Sequence, residues 1–137
     1  MAEGSRHLAR KTAVQALYQW DLTEQSPEEI EDHFINDHDF SGVDMEYFRH
    51  LVKNIPLYHQ EIDSRLTPHV DRDLERVDPV ERAILRIGAY ELEFEPTIPA
   101  RVVIDEAVEL CKMFGAEHGF RFVNGVLDKV AAELRDG

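Results

Sequence analysis

At 137 residues, with 43% hydrophobic and 31% charged residues, the chain can bury one compact core and is too short for a second catalytic domain beside it. No apolar run approaches the ~20 residues that cross a bilayer, the start lacks the apolar core of a secretory signal, and a lone cysteine offers no disulfide, so a cytoplasmic location is expected. A formal net charge of −13 excludes a protein that coats nucleic acid by bulk electrostatics, yet the charge is uneven: Asp21 to Glu46 holds ten acidic residues and no Lys or Arg, whereas Arg6, Arg10 and Lys11 are set against only Glu3 in the first twenty positions.

In chain order, Ser5 is placed to cap a first helix running to about Leu22, with Ala9, Ala13, Ala16, Leu17 and Trp20 on one face. The opposite side carries His7, Lys11, Val14 and Tyr18, with Arg10 at its edge. Two readings of that second stripe stay open: an aromatic interleaved with cations for stacking on a base or docking a partner, or a helix sandwiched so that both faces are buried. Ser26-Pro27-Glu28-Glu29 is a capping box with proline at the first helical position, opening a short helix that buries Ile30 and Phe34 and ends near Asn36. His33, Asp37, His38 and Asp39 follow no defined metal-ligand spacing and read as a solvated loop.

From Asp44 to about Leu66 the apolar positions Tyr47, Phe48, Leu51, Val52, Ile55, Tyr58, Ile62 and Leu66 trace a long helix. Pro56 must kink or split it, because proline removes the hydrogen bond to the carbonyl of Val52. Thr67-Pro68 makes a stop. Asp78-Pro79-Val80-Glu81 is a second capping box, opening a helix to about Glu93 that apolar residues almost encircle; Glu81, Arg82 and Arg86 are left as a narrow exposed strip near its start. Glu95, Pro96 and Thr97 connect it to the last stretch, Ala100 to Leu134. There Val103, Ala107, Val108, Cys111 and Phe114 form one helical stripe, ended by Gly115. Phe120, Val123, Val126, Leu127, Val130 and Leu134 form another, and the two helices are expected to pack as a pair. No segment alternates with period two and glycine is scarce, so the fold class is all-α.

Catalytic patterns are missing: Cys111 faces the core, and no glycine-rich phosphate loop or hydrolase motif occurs. Asp105, Glu106 and Glu109 read as a solvated face, since nothing desolvates them. No catalytic residue, cofactor or metal is expected. Phe122 lies about 100° off the core stripe of its helix, beside Lys129. It reads either as an exposed aromatic suited to base stacking or as a peripheral core residue.

Three segments, ARKTAVQALYQW near the start, VDPVERAILRIGAYEL in the centre and VVIDEAVELCKMFGAEHGFRFVNGVLDKV near the end, resemble in order and spacing the NusB family of bacterial transcription antitermination factors. The resemblance spans nearly the whole chain, read as one domain over residues 1–137. It implies a bundle of about seven helices in two small subdomains. It also implies an RNA-binding adaptor that pairs with NusE, a small-subunit ribosomal protein, on the single-stranded boxA element of nascent ribosomal RNA, within the RNA polymerase antitermination complex. Carried over by position, the RNA surface comprises Arg6, Arg10, Lys11, Tyr18 and Phe122, with Lys129 beside it, and the partner surface Tyr18, Glu81 and Arg82. The chain departs from the family at His7 and Leu8, where relatives often extend an arginine run, and at His118, often acidic there. Two rivals remain: a helical accessory domain in rRNA modification, since a similar fold resembles the N-terminal module of some ribosomal RNA cytosine methyltransferases, and an adaptor that self-associates through Tyr18. The first would need a glycine-rich cofactor domain for which 137 residues leave no room.

Overall fold

The computed structural model describes residues 5–114 and 119–135. Among them lie α1 (Arg6–Leu22), α2 (Pro27–Asp37), α3 (Met45–Leu57), α4 (His59–Leu66), α5 (Pro79–Phe94), α6 (Ala100–Met113) and α7 (Gly119–Arg135), with 3-10 turns at Thr67–His69 and Leu74–Arg76. The all-α reading holds: the described residues contain no strand, only an isolated bridge between Ser5 and Val43. The chain divides into two compact units, Met1–Leu57 and Tyr58–Gly137. Gly115 and His118 lie outside the described residues.

In the first unit α1, α2 and α3 pack on one another. Ala9, Ala13, Ala16 and Leu17 of α1 meet a core made with Ile30, Phe34, Phe48, Leu51, Val52 and Ile55. Both expected starts are formed by their own side chains. The Ser5 hydroxyl accepts the Leu8 amide at 3.1 Å. Ser26 and Glu29 close a reciprocal capping box, each side chain accepting the other's amide, at 3.1 and 2.9 Å. The strand-like residue before α1 is tied to the loop before α3: the Ser5 amide donates to the Gly42 carbonyl at 2.7 Å and the Asp44 amide to the Ser5 carbonyl at 3.1 Å. Gly42 takes φ 76° there, a left-handed value open to glycine at no steric cost.

Pro56 splits the long helix rather than kinking it. The proline withdraws one amide from the ladder, α3 ends one residue later at Leu57, and Tyr58 (φ −107°, ψ 20°) separates it from α4.

In the second unit α5 packs against α4, α6 and α7, which explains why apolar residues nearly encircle it. A Cβ added at Gly88 would lie 2.6 Å from Cδ1 of Leu127, so glycine permits the close approach of α5 and α7. The α6 and α7 pair forms as expected, burying Val103, Ala107 and Cys111 against Val123, Val126, Leu127 and Val130, while Val108, Phe120 and Leu134 are only half-buried. At the far end of α5 the Arg135 guanidinium donates to the carbonyls of Leu92, Glu91 and Glu95 at 2.8, 3.2 and 3.2 Å, adding a side-chain donor to a helix end where the Glu91 and Glu95 carbonyls also accept the amides of Glu95 and Ile98.

Candidate nucleic-acid interface

The first turn of α1 is where the basic residues gather, and its geometry follows from the tie between Ser5 and the loop at Gly42. That tie brings Arg6 to Asp44, with Nε 3.9 Å from a carboxylate oxygen, and both N-terminal arginines onto Tyr47 of α3. The Arg6 guanidinium carbon lies 4.3 Å and that of Arg10 5.5 Å from the ring centroid, within the range of cation–π attraction. The two are not equivalent. The Arg6 side chain is 52% exposed, whereas Arg10 is 5% exposed. Lys11 and His7 are half-buried, and Val14 is buried. Over this part of α1 the sandwiched reading prevails, because α2 and α3 together cover more than one face, and Arg10 does not stand in the open. Tyr18 does, at 40% exposure, with Leu22 one turn on at 51%, so this end of the stripe presents an exposed aromatic ring.

In the second unit, Glu81 is half-buried in the first turn of α5, behind the Asp78 carboxylate that caps the helix by accepting the amides of Val80 and Glu81, each at 3.1 Å. Burial, and then the Asp78 charge, push the Glu81 carboxyl above its ordinary value, with Arg72 pulling the other way. The expected exposed strip of Glu81, Arg82 and Arg86 is corrected: Arg82 and Arg86 are each only 7% exposed. Their charges are answered inside the unit. Nη1 of Arg82 donates to the carbonyls of Leu74, Glu75 and Val77 at 3.0, 3.1 and 2.9 Å, clamping the 3-10 turn against α5. Arg86 makes a two-pronged pair with Asp63 at 2.9 and 3.0 Å. A buried guanidinium is tolerated when its donors are matched in this way. As it stands, Arg82 is a clamp on its own unit, and Glu81 alone of the strip reaches solvent.

On α7, Phe122 is half-buried and Lys129 exposed. The cation over the Phe122 ring is Arg72, 4.8 Å from the centroid; Lys129, two helical turns further along, is displaced by about 10 Å along the axis. Phe120, expected in the core, is half-buried with Lys112 and Arg121 at 5.1 and 5.6 Å from its ring. Elsewhere His33 pairs with Asp37 at 3.2 Å and His38 stacks on Phe34.

Known proteins place this architecture. The sequence matches the NusB family over residues 7–132. The chain belongs to that family. It is 52% identical over 130 residues to the transcription antitermination protein NusB of Nitrosococcus oceani, covering 95% of this chain and 87% of the relative. It is 46% identical over 134 residues to NusB of Actinobacillus pleuropneumoniae, covering 98% of each. Among solved structures it superposes on T. maritima NusB with TM-score 0.85 at 31% identity, covering 96% and 94% of the two chains. A chain of the crystal structure of the antitermination factors NusB and NusE in complex with dsRNA matches with TM-score 0.82 at 33% identity, covering 93% and 96%.

In this NusB-family chain two residues, one in each unit, that lie against expected contact residues escape a reading by pattern. Tyr47 lies on the apolar stripe of α3, where nothing in its spacing marks it as the seat of two arginines on α1. Arg72 sits in the irregular segment between the two 3-10 turns, without any periodicity to assign it a face. Alternating charges in VDRDLERVD are the signal that segment offers, and they do not single out Arg72.

Proposed function

We propose that this chain is a transcription antitermination factor that binds boxA-type RNA of nascent ribosomal transcripts together with NusE, as an adaptor within the RNA polymerase antitermination complex and in support of ribosome biogenesis. The observation that carries the reading is the near-full-length match, in sequence and in fold, to NusB proteins, one of them in a complex with NusE and RNA. The adaptor makes and breaks no covalent bond and works in the cytoplasm. For the described residues, no helix is long and apolar enough to cross a membrane.

On the first unit, the open guanidinium of Arg6 and the half-buried Lys11 supply phosphate contacts, Arg10 holds the ring that seats Arg6, and Tyr18 serves the RNA or the partner. On the second, Glu81 meets a cation of NusE and Phe122 takes part in stacking, with Lys129 at the margin. In a chain of net charge −13, the few cations at the start of α1 neutralise few phosphates, so the salt dependence of its RNA binding is shallow. Affinity therefore depends on the partner's basic surface.

The test is a titration of single-stranded boxA RNA against the chain, with and without NusE, at several salt concentrations, with the duplex form alongside. Tighter binding in the presence of NusE is the expected result. Equal affinity with and without NusE overturns the cooperative reading, and Phe122→Asp leaving RNA binding intact reduces α7 to scaffold. Tyr18→Asp separates the rival of self-association: sizing chromatography over a dilution series should show no change of state, while the NusE contact is lost.

A further inference from the structure

Phe122 does not present a bare ring. The guanidinium of Arg72 lies over it, 4.8 Å from the centroid, so a base approaching that face meets the arginine first. The ring is half-buried, while the Arg72 side chain is 40% exposed. Asp71 fixes the guanidinium from the side: one carboxylate oxygen accepts from Nε at 2.7 Å and lies 2.7 Å from Nη2. An in-plane partner on the Nε and Nη2 edge sets the orientation of the plane without covering its faces, and a guanidinium plane supported by an aromatic ring on one side accepts a nucleic-acid base on the other. The same cation is close enough to act on the Glu81 carboxyl, drawing it down against the upward push of burial and Asp78. Arg72 thus lies over the aromatic ring and acts electrostatically on the Glu81 carboxyl of the same unit.

We propose that Arg72 is a direct RNA contact of this chain, receiving an unpaired base on the outer face of its guanidinium, with Phe122 as the support beneath it and Asp71 as the residue that orients it. The inference rests on the RNA-binding reading and deepens it by naming the stacking group. Since Asp71 already offsets the charge, Arg72 acts through its plane more than through its net charge. A point cation in its place does not substitute.

The experiment measures the affinity of the full chain, with NusE present, for single-stranded boxA RNA, comparing the wild type with Arg72→Ala, Arg72→Lys, Phe122→Leu and the Arg72→Ala/Phe122→Leu double variant. Circular dichroism and urea unfolding confirm that each variant is folded. Removing one stacked base contact is expected to weaken binding on the order of ten-fold. Arg72→Lys should weaken it nearly as much as Arg72→Ala, and the double variant should bind no more weakly than the worse single one, because the two residues act as one platform. Arg72→Ala binding as well as the wild type, or better, overturns the proposal, as does Arg72→Lys binding like the wild type. If Phe122→Leu weakens binding while Arg72→Ala does not, only this inference falls. If the wild type binds no RNA with or without NusE, the functional reading falls with it.

Discussion

Tyr47 is the residue on which the basic start of α1 rests, and replacing it separates the ring's contribution from that of its hydroxyl. The ring is buried and carries two guanidinium groups, at 4.3 and 5.5 Å. Cation–π attraction amounts to about 0.5–1 kcal/mol at exposed sites and ~2 kcal/mol when the cation is desolvated. Arg6, with its side chain 52% exposed, belongs to the first class. Arg10, at 5% exposure, belongs to the second, weakened by its longer distance. A double-mutant cycle of Tyr47→Leu with Arg10→Met should therefore give a coupling of about 1–2 kcal/mol, and the cycle with Arg6→Met less than about 1 kcal/mol. Tyr47→Phe keeps the ring and should retain most of both. Urea unfolding followed by fluorescence reports on this unit directly, since the single tryptophan, Trp20, sits on α1. The same variants titrated with boxA RNA should show Tyr47→Leu losing affinity and Tyr47→Phe restoring it, as a ring that aims Arg6 requires. Additive effects of Tyr47→Leu and Arg10→Met, or equal damage from Phe and Leu, would refute the argument.

Two glycines test the packing with opposite signs. At Gly88 an added methyl overlaps the fully buried Leu127, at 2.6 Å from Cδ1 and 3.4 Å from Cγ, so the overpacking cost of ~1–3 kcal/mol outweighs the helix-propensity gain of about 1 kcal/mol and Gly88→Ala should destabilise. At Gly125 nothing lies within 4 Å, and Gly125→Ala should stabilise by up to about 1 kcal/mol; urea midpoints that move in the same direction for both would contradict this packing. Burial pushes the Cys111 thiol up to about 12, helped by the Glu81 and Asp78 charges, so a thiol reagent at pH 8 should leave the native chain unlabelled and react once urea unfolds it. Labelling of the folded chain at the rate of a free thiol would show that the site opens. Burial raises the folded-state pKa of Glu81 above its ordinary 4.5, so the folded chain holds this proton more tightly than the unfolded one. The stability linked to it is fully present below pH ~4.5 and is lost as pH rises through the folded value. Glu81→Gln should accordingly raise the urea midpoint at pH 7, gain nothing at pH 4, and weaken NusE binding; a gain independent of pH would point to packing rather than charge.

The features legible in the sequence are those whose causes lie within one turn of helix. Ser26 and Glu29 reach each other three residues apart, Asp78 reaches the amides of Val80 and Glu81, and Pro56 withdraws its own amide. A pattern reader sees both partners at once in such cases. The apolar surround of α5 is legible for a related reason, since a central place in the packing follows from how narrow its polar strip is, even when the neighbouring helices cannot be named. Val108 and Phe120 mark the limit of this approach: both fall on a stripe by winding angle, yet they sit at its edge, and whether an edge position is covered depends on where the neighbouring helix stops.

The arginines show why the candidate site was harder to read than the fold. A helical wheel sends a guanidinium to solvent because an isolated charge is expensive to bury, but the cost is removed when distant groups match the donors. Arg10 is met by a ring on α3, Arg86 by Asp63 of α4, Arg82 by three carbonyls of the segment that precedes its own helix, and Arg135 by the end of α5. None of these partners is within one helical turn in sequence, and arginine suits such positions because its planar, five-donor head can satisfy several acceptors together. Lys53, Lys112 and Lys129, whose compact ammonium groups are more strongly hydrated, are all exposed. Counting basic residues therefore overstates the cationic surface of this chain. The exposed cations are fewer than composition suggests, and two of them, Arg6 and Arg72, lie over aromatic rings; on the proposed function, such ring-supported contacts and a basic partner would offset the net charge that opposes RNA binding.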